Sequence, residues 1–340
     1  MSSSLVIQTS FLGDTVLTTP LLAQLANRGP VDVVATPAAA ALLANHPAVR
    51  TLIAYDKRGA DRGLLGLWRL AQRLRAARYD VAFLAQGSWR SAALALLAGI
   101  PSRLGFSTSA GRLLYSRRVA YRDDLHHAAR LLMLARPNGR EPTAAELRPT
   151  LAPGAAERAE VDAFLRERGA GTGERLVAVA PGSVWGTKRW PHYPQLAQAL
   201  AGASRVVVVG SADDTPLADE IVAAAPGTLD ATGRLSLLAS AELLGRCAVL
   251  VTNDSAPMHL ASAMGTPTVA LFGPTVPEFG FGPLAPRAIV VGHDALACRP
   301  CDRHGPHRCP LGHHRCMREL SPSVVADRAR ALLLNPDVLG

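Results

Sequence analysis

No apolar run in this 340-residue chain approaches the roughly 18 residues that a membrane-spanning helix requires. The nearest stretch is "SAALALLAGI", residues 91–100. The first residues enter a strand pattern at once, with no basic segment ahead of an apolar one, so no signal peptide is expected and a cytoplasmic location is the default. Aromatic residues make up only 5% of the chain. That scarcity, beside abundant Ala, Leu and Val, weighs against an all-β sandwich and favours helices packed on parallel strands. Neither GxGxxG nor GxxxxGK[ST] follows any strand-like run, which argues against a nicotinamide dehydrogenase and against a P-loop enzyme. Lysine is almost missing: Lys57 and Lys188 stand alone among 36 cationic residues.

What is present is an alternation of short apolar runs with helical stretches. In the first half the runs are "SLVIQT", "VDVVAT", "TLIAY" and "DVAFLA", with a basic amphipathic helix around 62–77. In the second half they are "RLVAVA", "RVVVVG", "AVLVTN" and "TPTVALFG". Such alternation predicts right-handed βαβ succession and parallel sheets. A proline-rich stretch, "PNGREPTAAELRPTLAPG" at 137–154, reads as a linker. The expected organisation is a first domain over 1–150, a second over 151–320 and a C-terminal helix over 321–340 that packs back on the first domain.

The net charge of +9 is unevenly shared. Residues 1–150 hold 19 cationic and 9 acidic side chains, a net of +10, whereas 151–340 hold 17 and 18, a net of −1. A biased genome accounts for Arg over Lys but not for the asymmetry. A basic half facing an anionic partner or a membrane surface accounts for the asymmetry. The basic residues are not interleaved with aromatics, so nucleic acid is not the expected partner.

Four stretches carry candidate chemistry. "SFLGDT", residues 10–15, reads as a strand-to-helix turn, yet it presents Asp14 where a phosphate-binding turn would exclude a carboxylate. Asp14 is either a helix N-cap or a general base at the carboxyl edge of a parallel sheet. "APGSVWGTKRWP", residues 180–191, offers Gly182, Ser183 and the rare Lys188 after a buried strand, a set suited to a departing diphosphate; an exposed loop is the alternative. In "VLVTNDSAPMHLASAMGTPTVALFGP", residues 249–274, Ser255 reads as the cap of a helix opening with Ala256 and Pro257. Its first amides form an anion site, with Asp254 just outside and His259 one turn in. Finally, Cys298, Cys301, Cys309 and Cys316 cluster with His293, His304, His307, His313 and His314. This cluster reads as structural Zn²⁺ supporting stability rather than turnover, as another metal or cluster, or as unliganded thiols. Cys247 reads as a core residue.

Three of these stretches, "FLGDTVLTTPLL", "APGSVWGTKRWP" and "TNDSAPMHLASAMGTPTVALFGPT", together resemble the lipopolysaccharide core heptosyltransferases, glycosyltransferase family 9. The resemblance is strongest to the heptosyltransferase II branch, in which "CRPC…RCPLGHHRCM" also has counterparts. It implies a GT-B architecture of two Rossmann-like domains facing across a cleft, with the acceptor on the first and the nucleotide sugar on the second. The implied reaction is inverting and needs no metal: a heptose passes from ADP-heptose to the anionic inner core of nascent lipopolysaccharide, at the inner face of the cytoplasmic membrane. By that resemblance Asp14 matches the catalytic base and Lys188 the lysine on the donor phosphates, with Ser183 beside it. Asp254, Ser255, Ala256 and His259 match the donor motif, and Ser211 and Asp214 fall where the nucleoside is contacted. Ala256 stands where many members carry Gly. The alternatives are another GT-B enzyme with a different nucleotide sugar or acceptor, and a non-catalytic sugar-nucleotide-binding protein.

Overall fold

The computed structural model describes residues 3–136, 139–171 and 173–334. The chain divides into two compact units, Met1–Ala152 and Pro153–Gly340. The first contains β1 (Ser4–Gln8), α1 (Leu12–Ala26), β2 (Val31–Ala35), α2 (Pro37–Leu42), β3 (Thr51–Ala54), α3 (Gly63–Ala76), β4 (Val81–Leu84), α4 (Trp89–Leu97), β5 (Ser102–Phe106), β6 (Arg117–Val119) and α5 (His127–Ala135). The second begins with α6 (Ala155–Glu167), β7 (Leu176–Ala180), α7 (Tyr193–Leu200), β8 (Arg205–Val208), α8 (Thr215–Ala224), β9 (Leu229–Asp230) and α9 (Leu237–Arg246). It continues with β10 (Val249–Asn253), α10 (Ala256–Met264), β11 (Thr268–Phe272), β12 (Ala288–Gly292), α11 (Arg315–Arg318) and α12 (Pro322–Leu334).

Each unit is built on a six-stranded sheet, ordered β3-β2-β1-β4-β5-β6 in the first and β12-β11-β10-β7-β8-β9 in the second. Every strand pairing is parallel. Counted from its own first strand, each unit has the same order, 3-2-1-4-5-6, with a reversal of direction beside that strand. In such sheets the crevice outside the carboxyl ends at the reversal receives ligands. The inner strands are covered on both faces, which is why "VDVVA", "LVAVA", "VLVTN" and "TVALF" are buried at every position and almost continuously apolar.

Helix α1 departs from the sequence reading. Its N-cap position is Phe11, which supplies no side-chain cap, and Gly13 lies inside the helix rather than in a turn. Asp14 is the third helical residue, so the N-cap reading of Asp14 is wrong. A carboxylate in this first turn faces the positive end of the helix dipole. The C-terminal helix contributes to the second unit. Val325, Ala326, Ala329 and Leu332 of α12 join Val269, Leu271, Trp190 and Met317 in the second unit's own core. Residues 335–340 lie outside the described part of the chain.

At the opposite, amino edge of the first sheet, one polar knot ties three strands. Asp32 of β2 accepts two bonds from the Arg50 guanidinium, at 2.8 and 2.7 Å, and one from the Tyr79 hydroxyl at 2.6 Å. Arg50 leads into β3 and Tyr79 into β4. Burial alone would raise the Asp32 carboxyl, but the Arg50 fork and the Tyr79 hydroxyl outweigh it and hold the carboxyl below its ordinary range. With the folded-state value depressed, the stability this carboxylate contributes is present above the unfolded value near 4 and is lost as pH falls through the folded one. Replacing Asp32 by Ala strands the buried Tyr79 hydroxyl and should cost about 2–3 kcal/mol in urea unfolding at neutral pH. The deficit should narrow as the wild type is titrated towards pH 3. A loss below about 0.5 kcal/mol would mean the knot contributes no more than a surface pair.

Candidate active site

In the second unit β7 and β10 lie side by side at the reversal of strand direction. The loop leaving β7 turns through a short 3-10 segment, Gly186–Lys188, and the chain leaving β10 reaches Asp254 at once. Lys188 Nζ donates to Asp254 Oδ2 at 2.6 Å, and Thr275 Oγ1 donates to the same oxygen at 2.7 Å. Lys188, Asp254 and Thr275 are all buried. The lysine that the sequence set apart by its rarity is thus held by a carboxylate 66 residues away in the chain.

Asn253 locks the surrounding backbone. Its Oδ1 accepts from the Trp190 amide at 3.3 Å and the Tyr193 hydroxyl at 3.2 Å, while its Nδ2 donates to the Pro181 carbonyl at 2.8 Å. Helix α10 opens immediately afterwards. Ser255 occupies the N-cap position but makes no capping bond; its hydroxyl donates back to the Asn253 carbonyl at 3.4 Å. The expected Ser255 cap is therefore not made, because the hydroxyl is turned towards the strand. Ala256 is the first helical residue and Pro257, second, brings no amide hydrogen, so the helix start offers the amides of Ser255 and Ala256. His259 is buried one turn further on.

The remaining donor candidates fall around the same edge. Ser183 Oγ accepts from the Trp185 amide at 3.3 Å, and its carbonyl accepts from Arg189 Nε at 2.9 Å. Ser211 and Asp214 bond each other, through the Ser211 hydroxyl at 2.8 Å and its amide at 2.9 Å, in a capping box at the entry to α8. Asp214 also leans against Gly182, where an added Cβ would stand 2.3 Å from Asp214 Oδ1. The absence of a side chain at Gly182 lets the β7 and β8 loops close on one another.

The cysteine-rich segment packs directly against the lysine loop. The Thr187 hydroxyl donates to the Pro306 carbonyl, and the His314 ring nitrogen meets the Thr187 carbonyl at 2.8 Å. Trp185 stacks near His304 and tilts against His307, with ring centroids 6.1 and 4.7 Å away. Gly305 has φ +81°, and an added Cβ there would stand 3.4 Å from Lys188 Cε. From the other side, Arg299 Nη2 donates to the Phe272 carbonyl at 2.9 Å and the Thr275 carbonyl at 3.2 Å. Sequence reasoning missed Thr275 and Arg299, and named His314 only as a neighbour of the cysteines. Thr275 closes the "LFGPT" motif, but nothing local marks it as a partner of Asp254.

Two of the thiols, Cys301 and Cys316, are raised by burial and by neighbouring cysteines. Burial, then the neighbouring cysteines, push Cys316 up to about 11, and burial and Cys298 raise Cys301. Burial pushes Cys309 up too, but the backbone amides of His314, Leu311, Gly312 and His313 outweigh it and leave that thiol below its ordinary value. Among the described residues no group of three or more His, Cys, Asp or Glu side chains is arranged to hold a metal ion. Cys247 is buried at the end of α9, its thiol pushed up to about 12 by desolvation.

In the first unit Asp14 follows β1, again at the reversal of strand direction. His127, the first residue of α5, brings its Nε2 to 3.9 Å from Asp14 Oδ1. Burial and then the positive Arg130 hold His127 near 3, so it is neutral beside Asp14 at neutral pH. Arg130, itself buried, donates to the carbonyls of Arg122 and Asp123, each at 2.7 Å, and to the Tyr121 hydroxyl at 2.9 Å. Along the same carboxyl edge a cavity of about 580 Å³ is lined by Thr9, Phe11, Tyr55, Lys57, Arg58 and Gln86, among others. Lys57 Nζ donates to the Thr9 carbonyl at 2.7 Å. A smaller cavity of about 350 Å³ opens at the amino edge of the second sheet, around Arg205 and Gly227, away from Lys188.

Comparison with known proteins agrees with this arrangement. The family model "Glycosyltransferase family 9 (heptosyltransferase)" matches residues 67–309. The chain is 31% identical to the lipooligosaccharide heptosyltransferase 2 of Haemophilus influenzae, covering 97% of this chain and 99% of that protein. It is also 31% identical to the lipopolysaccharide heptosyltransferase 2 of Escherichia coli, covering 98% and 99%. The solved structure of the E. coli ADP-heptose lipopolysaccharide heptosyltransferase II superposes with a TM-score of 0.81 at 28% identity, over 99% of this chain and all of that one. The GT-B class rests on that superposition together with the two parallel-sheet units. The chain belongs to glycosyltransferase family 9, the heptosyltransferases.

Proposed function

We propose that the protein transfers a heptose from ADP-heptose to the inner-core heptose of nascent lipopolysaccharide, with inversion at the anomeric carbon, while bound peripherally to the inner face of the cytoplasmic membrane. Similarity along nearly the whole chain to heptosyltransferases 2 supports the choice of donor and acceptor. One observation carries the chemistry: a buried ammonium, Lys188, fixed by Asp254 and Thr275 beside a helix start at the ligand edge of the second sheet. A diphosphate gains negative charge as its bond to the sugar breaks, and a fixed cation with aligned amides stabilises that charge without reorganising. Ser183, Ser255, Ala256 and His259 surround the same donor, with Ser211 and Asp214 towards the nucleoside. Asp14, beside neutral His127, takes the proton from the attacking acceptor hydroxyl. The carboxylate sits in the first unit because the phosphates bind to the second.

The direct test scores nucleoside diphosphate release from a panel of nucleotide sugars, using purified protein and heptose-bearing truncated lipopolysaccharide. ADP-heptose should be preferred, and Asp14→Asn should lower kcat by roughly 10²–10⁴ with ADP affinity nearly unchanged. Turnover near the wild-type value in that variant would remove Asp14 from the chemistry. Preference for another donor would redirect the reading to a different GT-B transferase.

Because Lys188 is half of a buried pair, Lys188→Ala should act twice. It should lower kcat by an amount worth about 2–4 kcal/mol, and it should cost roughly 3 kcal/mol of stability by leaving Asp254 buried with a hydroxyl alone. The double variant Lys188→Met/Asp254→Asn separates the two effects. Its melting temperature should return towards wild type while turnover stays low. Recovery of turnover in the double variant would mean that the lysine matters only as a structural counter-ion.

We also propose that the four cysteines, which this structure does not gather into a ligand set, draw together on one structural Zn²⁺, the amides around Cys309 favouring its thiolate. Elemental analysis of protein purified without added metal should find about one zinc per chain, absent from Cys298→Ser/Cys301→Ser. Metal-free wild-type protein with an unchanged melting temperature in chelator would sink this assignment.

A further inference from the structure

Helix α3 buries one face and leaves an unusual one outside. Leu67, Leu70, Ala71 and Leu74 join the core of the first unit. On the outer face of the first two turns, Leu64 is 83% exposed, Leu65 65% and Trp68 54%. Single exposed apolar residues are ordinary, but three large ones at i, i+1 and i+4 form one contiguous patch, and such patches mark contact surfaces. The rim is basic. Residues 57–78 carry seven cationic side chains and one acidic one, Asp61, whose carboxylate accepts from the Asp56 amide. Arg58, Arg62, Arg69 and Arg73 are all exposed around the patch.

We propose that the opening turns of α3 dock the protein on an anionic phospholipid bilayer. Leu64, Leu65 and Trp68 enter the interfacial layer, and Arg58, Arg62, Arg69 and Arg73 lie among the lipid phosphates. Charge decides the occupant. An apolar cluster ringed by arginines, on the half of the chain with a net charge of +10, matches an apolar interior covered by anionic headgroups, and tryptophan favours that boundary. The position matters as well. Lys57 and Arg58 line the cavity at the carboxyl edge of the first sheet, and α3 begins a few residues later at Gly63. A lipid-anchored acceptor held in the same bilayer would meet that cavity directly. This step rests on the proposed acceptor, and the docking names the surface for the peripheral membrane binding proposed above.

Full-length protein is sedimented with vesicles of phosphatidylethanolamine and phosphatidylglycerol, and separately with vesicles of phosphatidylcholine alone. The wild type should bind the anionic vesicles, release them as salt rises and bind the neutral ones weakly. Leu64→Ser/Leu65→Ser/Trp68→Ser should lose about tenfold or more in partition at an unchanged melting temperature. Arg69→Gln/Arg73→Gln should lose chiefly the preference for anionic lipid. In transfer assays the apolar triple variant should raise KM for acceptor embedded in vesicles while matching the wild type on deacylated acceptor. Wild-type partition by the triple variant, or equal binding of neutral and anionic vesicles, or no vesicle binding at all, would overturn the docking assignment. The last of these would return the patch to a protein partner. Failure of the wild type to transfer sugar to either acceptor would overturn the proposed reaction, leaving the vesicle partition to decide the docking.

Discussion

A buried ion pair organises the second unit. Lys188 and Asp254 come from loops after different strands, and each would be costly to bury alone. Their meeting requires β7 beside β10, which the reversal of strand order provides. It also requires a hydroxyl from a third loop, that of Thr275, to occupy the remaining capacity of Oδ2. Every other feature of this edge serves the same closure: Asn253 stitching the β7 and β10 exits, Gly182 admitting Asp214, and Gly305 leaving room for the lysine stem. The pair explains why a chain with almost no lysine keeps one here. A guanidinium is wider and planar, and the stem of Lys188 already runs beside Gly305.

Much of this was legible in the sequence, and what was not has physical causes. The inner strands announced themselves because burial on both faces makes them continuous apolar runs. Strands β6, β9 and β12 did not, because outer positions relax that demand, and the inner β5 did not because its first two residues, Ser102 and Arg103, are polar and only half-buried. Arg117 and Arg118 of β6 are exposed, β9 is two residues long, and no residue of β12 is fully buried. Asp14, Lys188 and Asp254 stood out as residue types in unexpected settings. Their partners Thr275 and His127 did not, nor did Arg299, which holds the Thr275 carbonyl, since a partner fixed by tertiary packing leaves no local signature. The capping roles foreseen for Asp14 and Ser255 failed for a related reason. A residue type suited to capping reveals nothing of where the first helical turn starts, and here Phe11 and the backturned Ser255 hydroxyl occupy those positions.

The cysteine-rich segment alters how its own role is understood. Spacing alone pointed to a metal-held segment that supports stability rather than turnover. Its residues instead press on Trp185 and Thr187 from one side and grip the Thr275 loop through Arg299 from the other. Whatever orders the four thiols therefore also orders the two loops that fix the Lys188–Asp254 pair.

Each unit completes a full parallel sheet and closes its own core, and the chain passes from one to the other at a single joint, Ala152 to Pro153. Among the described residues even the last helix stays with the unit that precedes it, through Val325 and Ala329. Recombination at that joint cuts no strand, threads no loop and divides no core. A chimera joining this first half to the second half of a relative would thus inherit two intact folding nuclei. Acceptor choice and donor choice, if they reside in separate halves as proposed, become exchangeable by one crossover.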